Sequence, residues 1–327
     1  MKRGWIAWDQ AELPASVFQA RLDRVKKIIA EKGLPGLVIY TDVWRSNHAR
    51  YLVNFMPYWN RSLLVVPQDG AATLICALSP RVYPWIRSTS ILDDIRPGGD
   101  PVRVLLGLCS EKKWSRVGFL DLTQLPHGLY TSLREGKVEI VDLPSREVLP
   151  AGTDEWELSM RRHGAKMARE IVSEELAAGV GTLDYQFAGR LEREFRRAGA
   201  EDLVILLTNG SSAPGPARGA TLGDSFSVAV ALEYRGHWIR LARPHSTAGA
   251  AESMRSRFER IARNFESPGD VPVFVEDLSG PYPYSAQETL KVSPGSMFAL
   301  NVEFRASGNR LFYGDTCWYG QTGAAPL

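Results

Sequence analysis

The chain has 327 residues, of which 44% are hydrophobic and 23% charged. This length and composition predict two globular domains and exclude disordered, collagen-like and coiled-coil classes. Lys and Arg number 39 against 37 acidic residues, a net charge of +2, so we expect no nucleic-acid partner and no membrane partner. The three cysteines (Cys76, Cys109 and Cys317) are too few for a disulfide framework and predict buried thiols in a reducing, cytoplasmic setting.

The first half of the chain alternates helix and strand patterns. Apolar residues recur at helical spacing over 14–32 and predict a helix that ends at Gly33. A second helix is predicted over 101–114. The wholly apolar run 37–40 predicts a buried strand, and 62–66, 72–76 and 117–120 repeat the pattern. This alternation predicts an α/β domain with a mixed sheet.

A domain boundary is predicted near residue 150, where Pro and Gly are followed by a helix cap at Thr153 or Asp154. We therefore expect domains over 1–150 and 151–327. The second domain is predicted to have helices over 154–178, 182–198 and 250–265. Strands are predicted over 204–207, 226–234, 238–241, 297–304 and 311–319. This order predicts an α+β domain with a curved antiparallel sheet.

Four segments resemble the creatinase, prolidase and Xaa-Pro aminopeptidase superfamily. They are ARYLVNF at 49–55, DEWELSMRR at 154–162, the hairpin that runs from Gly223 to Arg243, and PGSMF at 294–298. The resemblance covers nearly the whole chain and keeps the motif order. It implies a creatinase-like N-terminal α/β domain and a C-terminal α+β domain with the pita-bread fold.

Metallopeptidases of this superfamily bind two divalent ions with two Asp, one His and two Glu. The resemblance places the Asp positions on Ala229 and Arg240, and the Glu positions on Asn301 and Gly314. The His-containing segment corresponds to 275–282, and residues 246–327 contain no His. Because a guanidinium cannot coordinate a metal and repels it, we expect no metal and no other cofactor.

Creatinase acts without a metal, and this hairpin aligns with its hairpin without a gap. The resemblance implies a catalytic His in the loop before Gly223, but residues 209–219 contain none. That loop is predicted to be a turn cluster between two strands. It is not a phosphate loop, because no helix follows it directly.

Arg240 is the principal candidate for substrate binding. Its planar guanidinium could bind a carboxylate or phosphate, or it could pair internally with Asp315 or Glu303. Asn301 and Glu303 are two residues apart on one predicted strand and should therefore face the same side of the sheet. Asn301 and Asp315 are further candidates for substrate binding.

The candidate catalytic residues are His237, His245 and Glu276. Either histidine could act as an acid or a base near neutral pH, and the alternative is a structural role. Glu276 and the neighbouring Asp277 could equally be simple loop acids. Tyr313 is a candidate substrate contact whose alternative role is sheet packing.

In the first domain, Trp44, Arg45, His48 and Arg50 form a polar and aromatic cluster. In dimeric relatives this domain reaches over the partner's cavity, so the resemblance implies His48 or Arg50 as a substrate contact. It also favours a homodimer, because aromatic residues that resemble interface anchors are dense in this stretch. They are Trp44, Tyr51, Phe55, Tyr58 and Trp59.

Two functions fit these observations. One is a metal-independent, hydrolase-like enzyme that acts on a small anionic, amino-acid-like substrate. The other is a non-catalytic binding or scaffold protein, and a metallopeptidase with relocated ligands has little support. An open pocket with unpaired polar groups around Arg240 would favour catalysis, and a closed, salt-bridged core would favour binding.

Overall fold

The computed structural model describes residues 8–149, 154–246, 250–264, 271–278, 280, 292, 294–306, 308–321 and 323–327. The described residues form two compact units, one up to residue 149 and the other from residue 154 onward. Among these residues, no helix combines the length and apolar character that crossing a bilayer requires. The three cysteines are buried and unpaired.

The N-terminal unit contains a six-stranded mixed sheet. Its helices are α1 (Ala15–Glu31), α2 (Asn47–Val53), α3 (Tyr83–Thr89), α4 (Pro101–Glu111), α5 (His127–Arg134) and α6 (Ser145–Val148). Its strands are β1 (Gly36–Thr41), β2 (Ser62–Pro67), β3 (Thr73–Cys76), β4 (Asp94–Pro97), β5 (Arg116–Leu120) and β6 (Glu139–Leu143).

The strand order is β4-β3-β2-β1-β5-β6, with β2 antiparallel to both of its neighbours and the other pairs parallel. Helix α1 buries the predicted apolar stripe, which includes Phe18 and Ile29. The helix ends before Gly33, whose φ of +65° is the left-handed conformation that glycine adopts readily. The predicted α/β class of this domain is confirmed.

The C-terminal unit contains a seven-stranded antiparallel sheet. Its helices are α7 (Glu155–Glu175), α8 (Asp184–Arg197) and α9 (Ala250–Asn264). Its strands are β7 (Asp202–Asn209), β8 (Ser225–Tyr234), β9 (His237–Ser246), β10 (Val273–Glu276), β11 (Met297–Ala306), β12 (Asn309–Gly320) and β13 (Gly323–Pro326). The strands pair in the order β10-β11-β12-β9-β8-β7, and β13 pairs with β12.

The two faces of this sheet differ in what covers them, because successive residues of a strand point to opposite faces. On one face, Val230 and Leu241 belong to the same core as Phe187 of α8, and Leu300 packs with Phe258 of α9. We call this the helix face. The opposite face carries the positions implicated by the sequence and is called the site face.

Candidate functional site

Three of the four positions that the resemblance assigns to Asp and Glu ligands lie in one row across the site face. Ala229 lies opposite Ala242, which lies opposite Gly314. Gly314 lies opposite Asn301, which in turn lies opposite Phe274. Directly opposed residues project from the same face, so five strands contribute to one row.

Arg240 lies next to this row, two residues from Ala242 on β9. It is 4% exposed, and its Nη1 donates a hydrogen bond to Glu276 Oε2 at 2.5 Å. Its Nη2 donates to the Gly280 carbonyl at 2.8 Å, and its backbone N–H donates to Thr316 Oγ1 at 2.8 Å. The guanidinium therefore forms a buried, charge-assisted pair within the protein.

Asn301 completes this polar cluster. It is 2% exposed, and its Nδ2 donates to Glu276 Oε2 at 3.4 Å. Its side chain also fills the space above Gly314, where an added Cβ would overlap Asn301 Oδ1 and lie 2.9 Å from the Leu300 carbonyl oxygen. The Asn301 side chain and any side chain at position 314 thus exclude each other.

Apolar side chains occupy the rest of the row. Ala229, Ala242 and Phe312 form one buried cluster, against which the half-buried Leu206 and Phe274 pack. Carboxylate ligands at these positions would need hydrogen-bonding or metal partners. Methyl groups and aromatic rings need only close packing.

No family model matches the sequence, and no curated protein matches it. Solved structures do match. An Xaa-Pro dipeptidase from Bacillus anthracis superposes with a TM-score of 0.71 at 14% identity, over 94% of this chain and 96% of that chain. An X-Pro aminopeptidase from Thermotoga maritima MSB8 gives 0.74 at 13% identity, over 93% and 96% of the two chains.

The chain has the pita-bread fold. The predicted fold class is thereby confirmed over both units, and identities this low establish the fold alone. The N-terminal domain of FACT complex subunit SPT16 from Eremothecium gossypii also matches, with a TM-score of 0.65 at 12% identity over 98% of this chain and 96% of that chain.

The residues present on this pita-bread scaffold do not fit a pair of divalent ions. At one ligand position, the buried guanidinium of Arg240 binds the carboxylate of Glu276. At another, Gly314, the side chain of Asn301 fills the space that a ligand side chain would need. Within the described ranges, no group of three or more His, Cys, Asp or Glu side chains could hold a metal ion. These positions therefore offer no set of ligands through which a metal could act.

Elemental analysis checks the prediction of metal independence. Protein purified without chelator should contain less than one equivalent of Mn, Co, Zn or Fe per chain, because Arg240 repels cations at the ligand position. Dialysis against EDTA should leave the melting temperature unchanged. Two equivalents per chain would contradict the assignment of Ala229, Arg240, Asn301 and Gly314 to the ligand positions.

The structure pairs Arg240 with Glu276 and not with either acid expected from the sequence. Glu303 accepts hydrogen bonds from Arg310 Nε at 2.9 Å and Nη2 at 2.6 Å. Asp315 lies on the helix face, 3.1 Å from Arg169 Nη1 and 2.6 Å from Arg243 Nη2. Asp315 and Arg240 therefore belong to separate charge clusters.

Tyr313, a predicted substrate contact, also lies on the helix face. Its ring packs against Phe258 at a centroid distance of 5.0 Å, and the Arg243 guanidinium lies 4.4 Å from the ring centroid. Burial raises the pKa of its hydroxyl. Tyr313 packs the sheet against α9 and does not join Arg240.

Of the three candidate catalytic residues, the structure places only Glu276 beside Arg240. His237 and His245 are separated from Arg240 by odd numbers of residues on β9, so both project toward the helix face. His245 stacks on Phe226 at a centroid distance of 5.3 Å, and His237 Nδ1 lies 2.9 Å from the Arg235 carbonyl oxygen.

His48 and Arg50 belong to α2 of the N-terminal unit. His48 Nε2 lies 3.3 Å from Asp121 Oδ2, and Arg50 is 3% exposed. Burial of Asp121 raises its pKa, but hydrogen bonds from His48 and the Ser145 backbone outweigh burial and lower it overall. A substrate contact by His48 or Arg50 remains a prediction.

Sequence reasoning missed Thr316 and Gly280 as partners of Arg240. Thr316 Oγ1 accepts the Arg240 backbone N–H and donates to the Arg240 carbonyl at 3.0 Å, which fixes β12 beside β9. A threonine within an apolar strand was a signal for this role. Gly280 contributes a backbone carbonyl, for which the sequence carries no signal.

The loop over 209–219 is anchored to α8 by a carboxylate. Asp184 accepts hydrogen bonds from the backbone N–H groups of Arg218 and Gly219, each at 2.8 Å. Burial of Asp184 raises its pKa, but these bonds, together with N–H groups of Ala220 and Tyr185, lower it overall below the ordinary value of 3.8. The ionised carboxylate is therefore favoured in the folded state.

We expect this anchor to make stability sensitive to acid. A carboxyl whose folded pKa is lowered stabilises the fold above its unfolded pKa, and the contribution is lost as pH falls through the folded value. Between pH 6 and about pH 3, the melting temperature of Asp184→Asn should fall less than that of the parent. The exposed Asp224→Asn is the matched control and should follow the parent curve.

Proposed function

We propose that the chain is a non-catalytic binding protein with the fold of Xaa-Pro peptidases, in which the position of the catalytic centre is part of the core. The observation that carries this proposal is the buried pair between Arg240 and Glu276, 4% and 8% exposed. A group that binds or attacks a substrate must be reachable by it. This guanidinium already has an anionic partner inside the protein.

Two further observations support the proposal. Ala229, Ala242 and Phe312 pack against one another where a hydrolase needs polar groups. His237 and His245 project to the opposite face, so neither is placed to act as a general base beside Arg240.

One matched structure is named as something other than a peptidase. The N-terminal domain of FACT complex subunit SPT16 shares the fold over 98% of this chain. The fold therefore also occurs in a protein named as a subunit of a complex, which supports a binding role without establishing one.

Turnover assays test the proposal. The full chain is incubated with Ala-Pro, Gly-Pro and creatine, with and without added Mn²⁺, and amine release is followed by chromatography. We expect no release above the buffer blank, with an Xaa-Pro dipeptidase as the positive control. Turnover that disappears in Glu276→Gln would overturn a non-catalytic role.

A metal-independent hydrolase acting on a small anionic, amino-acid-like substrate is the second candidate. It is favoured by one observation: Arg240 Nε is buried and has no hydrogen-bond partner among the described residues. A substrate carboxylate could accept this remaining donor. A thermal-shift screen of amino-acid-like anions tests it, and a ligand whose effect is lost in Arg240→Lys would support it.

The homodimer stays a prediction, and two of its five proposed anchors are not free to contact a partner. Phe55 is 1% exposed within the core, and the Arg21 guanidinium covers the Tyr51 ring, 4.0 Å from its centroid. Light scattering should give twice the monomer mass of 36.3 kDa. The monomer mass at micromolar concentration would contradict a dimer.

A further inference from the structure

Three neighbouring strands of the N-terminal unit carry small polar side chains at the same level of the sheet. Thr41 of β1 lies opposite Ser62 of β2, and Ser62 lies opposite Cys76 of β3. Directly opposed residues project from the same face, with Cβ atoms about 4.5–5.5 Å apart. All three residues are at most 1% exposed. These polar groups therefore lie side by side inside the unit.

The next level of the same strands shows that the polar level has room to spare. There the directly opposed residues are Ile39, Leu64 and Leu74, and all three belong to the core on this face of the sheet. Side chains of Thr, Ser and Cys are smaller than those of Ile and Leu. Because protein interiors are close-packed, we expect the extra space above the small side chains to be filled.

Tyr83, the first residue of α3, lies beside these side chains. It is 9% exposed and belongs to the same core as Cys76. Burial raises the pKa of its hydroxyl, and the nearby Cys76 adds to the rise. We call Thr41, Ser62, Cys76 and Tyr83 the hydroxyl cluster.

The three hydroxyl groups of the cluster are buried and have no hydrogen-bond partner among the described residues. Within those ranges, no other side-chain hydroxyl is buried in this way. Other buried hydroxyls of the unit are paired: Thr73 Oγ1 donates to Asp94 Oδ2 at 2.7 Å, and Ser90 Oγ donates to the Ile86 carbonyl at 2.7 Å. Because a buried hydroxyl without a partner is unfavourable, three at one place indicate a bound partner.

The Cys76 sulfur is too weak a hydrogen-bonding group to be that partner. Its Sγ accepts the Leu78 backbone N–H at 3.4 Å. Burial raises the pKa of the thiol, and the nearby Ser62 hydroxyl and the Leu78 N–H only reduce the rise. The thiol is therefore neutral, and a neutral thiol is a weak donor and a weak acceptor. Every group in the cluster is uncharged and can both donate and accept.

These properties select the kind of molecule that the cluster can bind. A buried ion would need a counter-charge, and the cluster has none. An apolar molecule would leave the hydroxyls unpaired. Water is small and neutral, donates and accepts, and makes about three hydrogen bonds when it is buried in a protein.

We propose that the hydroxyl cluster is an internal water site that links β1, β2 and β3 to α3. The bound water would accept and donate hydrogen bonds among Thr41, Ser62 and Tyr83, and so form part of the contact between the helix and the sheet. The inference is independent of the proposed binding role, because it concerns the N-terminal unit alone.

Variants that remove one hydroxyl test the inference on the full chain by the sign of their effect. Thr41→Val, Ser62→Ala and Tyr83→Phe each keep most of the side chain. If the hydroxyls bind water, each variant should lower the melting temperature by about 2–4 °C. If they have no partner, each should raise the melting temperature, because an unpaired buried group is removed. A rise would overturn the inference.

Oxygen-17 relaxation dispersion of water counts the long-lived internal waters directly. We expect Thr41→Val combined with Ser62→Ala to lose the contribution of about one water per chain or more. An unchanged contribution would show that the hydroxyls pair with protein groups, and would overturn the inference. If the double variant does not fold, Ser62→Ala alone gives the same comparison.

Thr89→Val is the matched control. The Thr89 hydroxyl donates to the Trp85 carbonyl at 3.0 Å and lies 3.3 Å from the Ile86 carbonyl oxygen, so its partners belong to the protein. This variant should lower the melting temperature and leave the number of internal waters unchanged. Loss of a water in Thr89→Val equal to that in the double variant would contradict a site at the hydroxyl cluster.

Discussion

Replacing Arg240 by alanine is expected to lower the free energy of unfolding by about 3–5 kcal/mol, because it leaves the carboxylate of Glu276 buried without its cation. The partners lie 2.5 Å apart and are 5% and 8% exposed as side chains. The Gly280 carbonyl loses its 2.8 Å donor in the same variant. Urea denaturation followed by tryptophan fluorescence measures the change.

A double variant separates the loss of the pair from the loss of packing. Arg240→Met combined with Glu276→Leu removes both charges and keeps most of the volume, so its stability should lie near that of the parent. If the free energy of unfolding of Arg240→Ala lies within about 1 kcal/mol of that of the parent, Arg240 and Glu276 do not depend on each other as a buried pair should. The proposed non-catalytic role would then lose its main support.

Gly314→Ala is expected to cost about 1–3 kcal/mol, the range for forcing extra volume into a packed core. The added Cβ would overlap Asn301 Oδ1 and lie 2.8 Å from Asn301 Cγ and 2.9 Å from the Leu300 carbonyl oxygen. The backbone oxygen cannot move away without disturbing the pairing of β11 with β12. Denaturant titration of the single variant measures this cost.

The same experiment in an Asn301→Ala background identifies the clashing group. Removing the Asn301 amide takes away the atoms nearest to the added Cβ. The two substitutions together should therefore lower the free energy of unfolding by less than the sum of their separate effects. Gly107→Ala is the matched control, because a Cβ at Gly107 in α4 meets nothing within 4 Å. Additive costs at positions 301 and 314 would contradict the mutual exclusion of their side chains.

The sequence predicts the elements of the site better than their partners. The hairpin of β8 and β9 follows from its apolar runs, and so does the strand that carries Asn301. Strand β10 is only four residues long, too short for its periodicity to distinguish it from a loop. Because β10 supplies Glu276, the acid that binds Arg240 could not be predicted.

The separation of three candidate residues from Arg240 and its row had a signal in the sequence. His237 and His245 lie three and five residues from Arg240, and Asp315 directly follows Gly314. Odd separations along a strand place side chains on opposite faces. The alternation of side chains along a strand therefore places both histidines on the face opposite Arg240. It also places Asp315 on the face opposite the row of ligand positions.

The side chain of Asn301 that fills the space above Gly314 has an evolutionary consequence. A carboxylate at position 314 cannot enter while Asn301 is present, and a carboxylate at position 240 would lie beside Glu276 with no cation between them. A single substitution by an acidic residue at position 240 or 314 should therefore lower stability before any bound metal could offset the loss. Because the Arg240–Glu276 ion pair and the packed Asn301 amide both occupy this part of the sheet, a metal centre could form here only if several positions changed together.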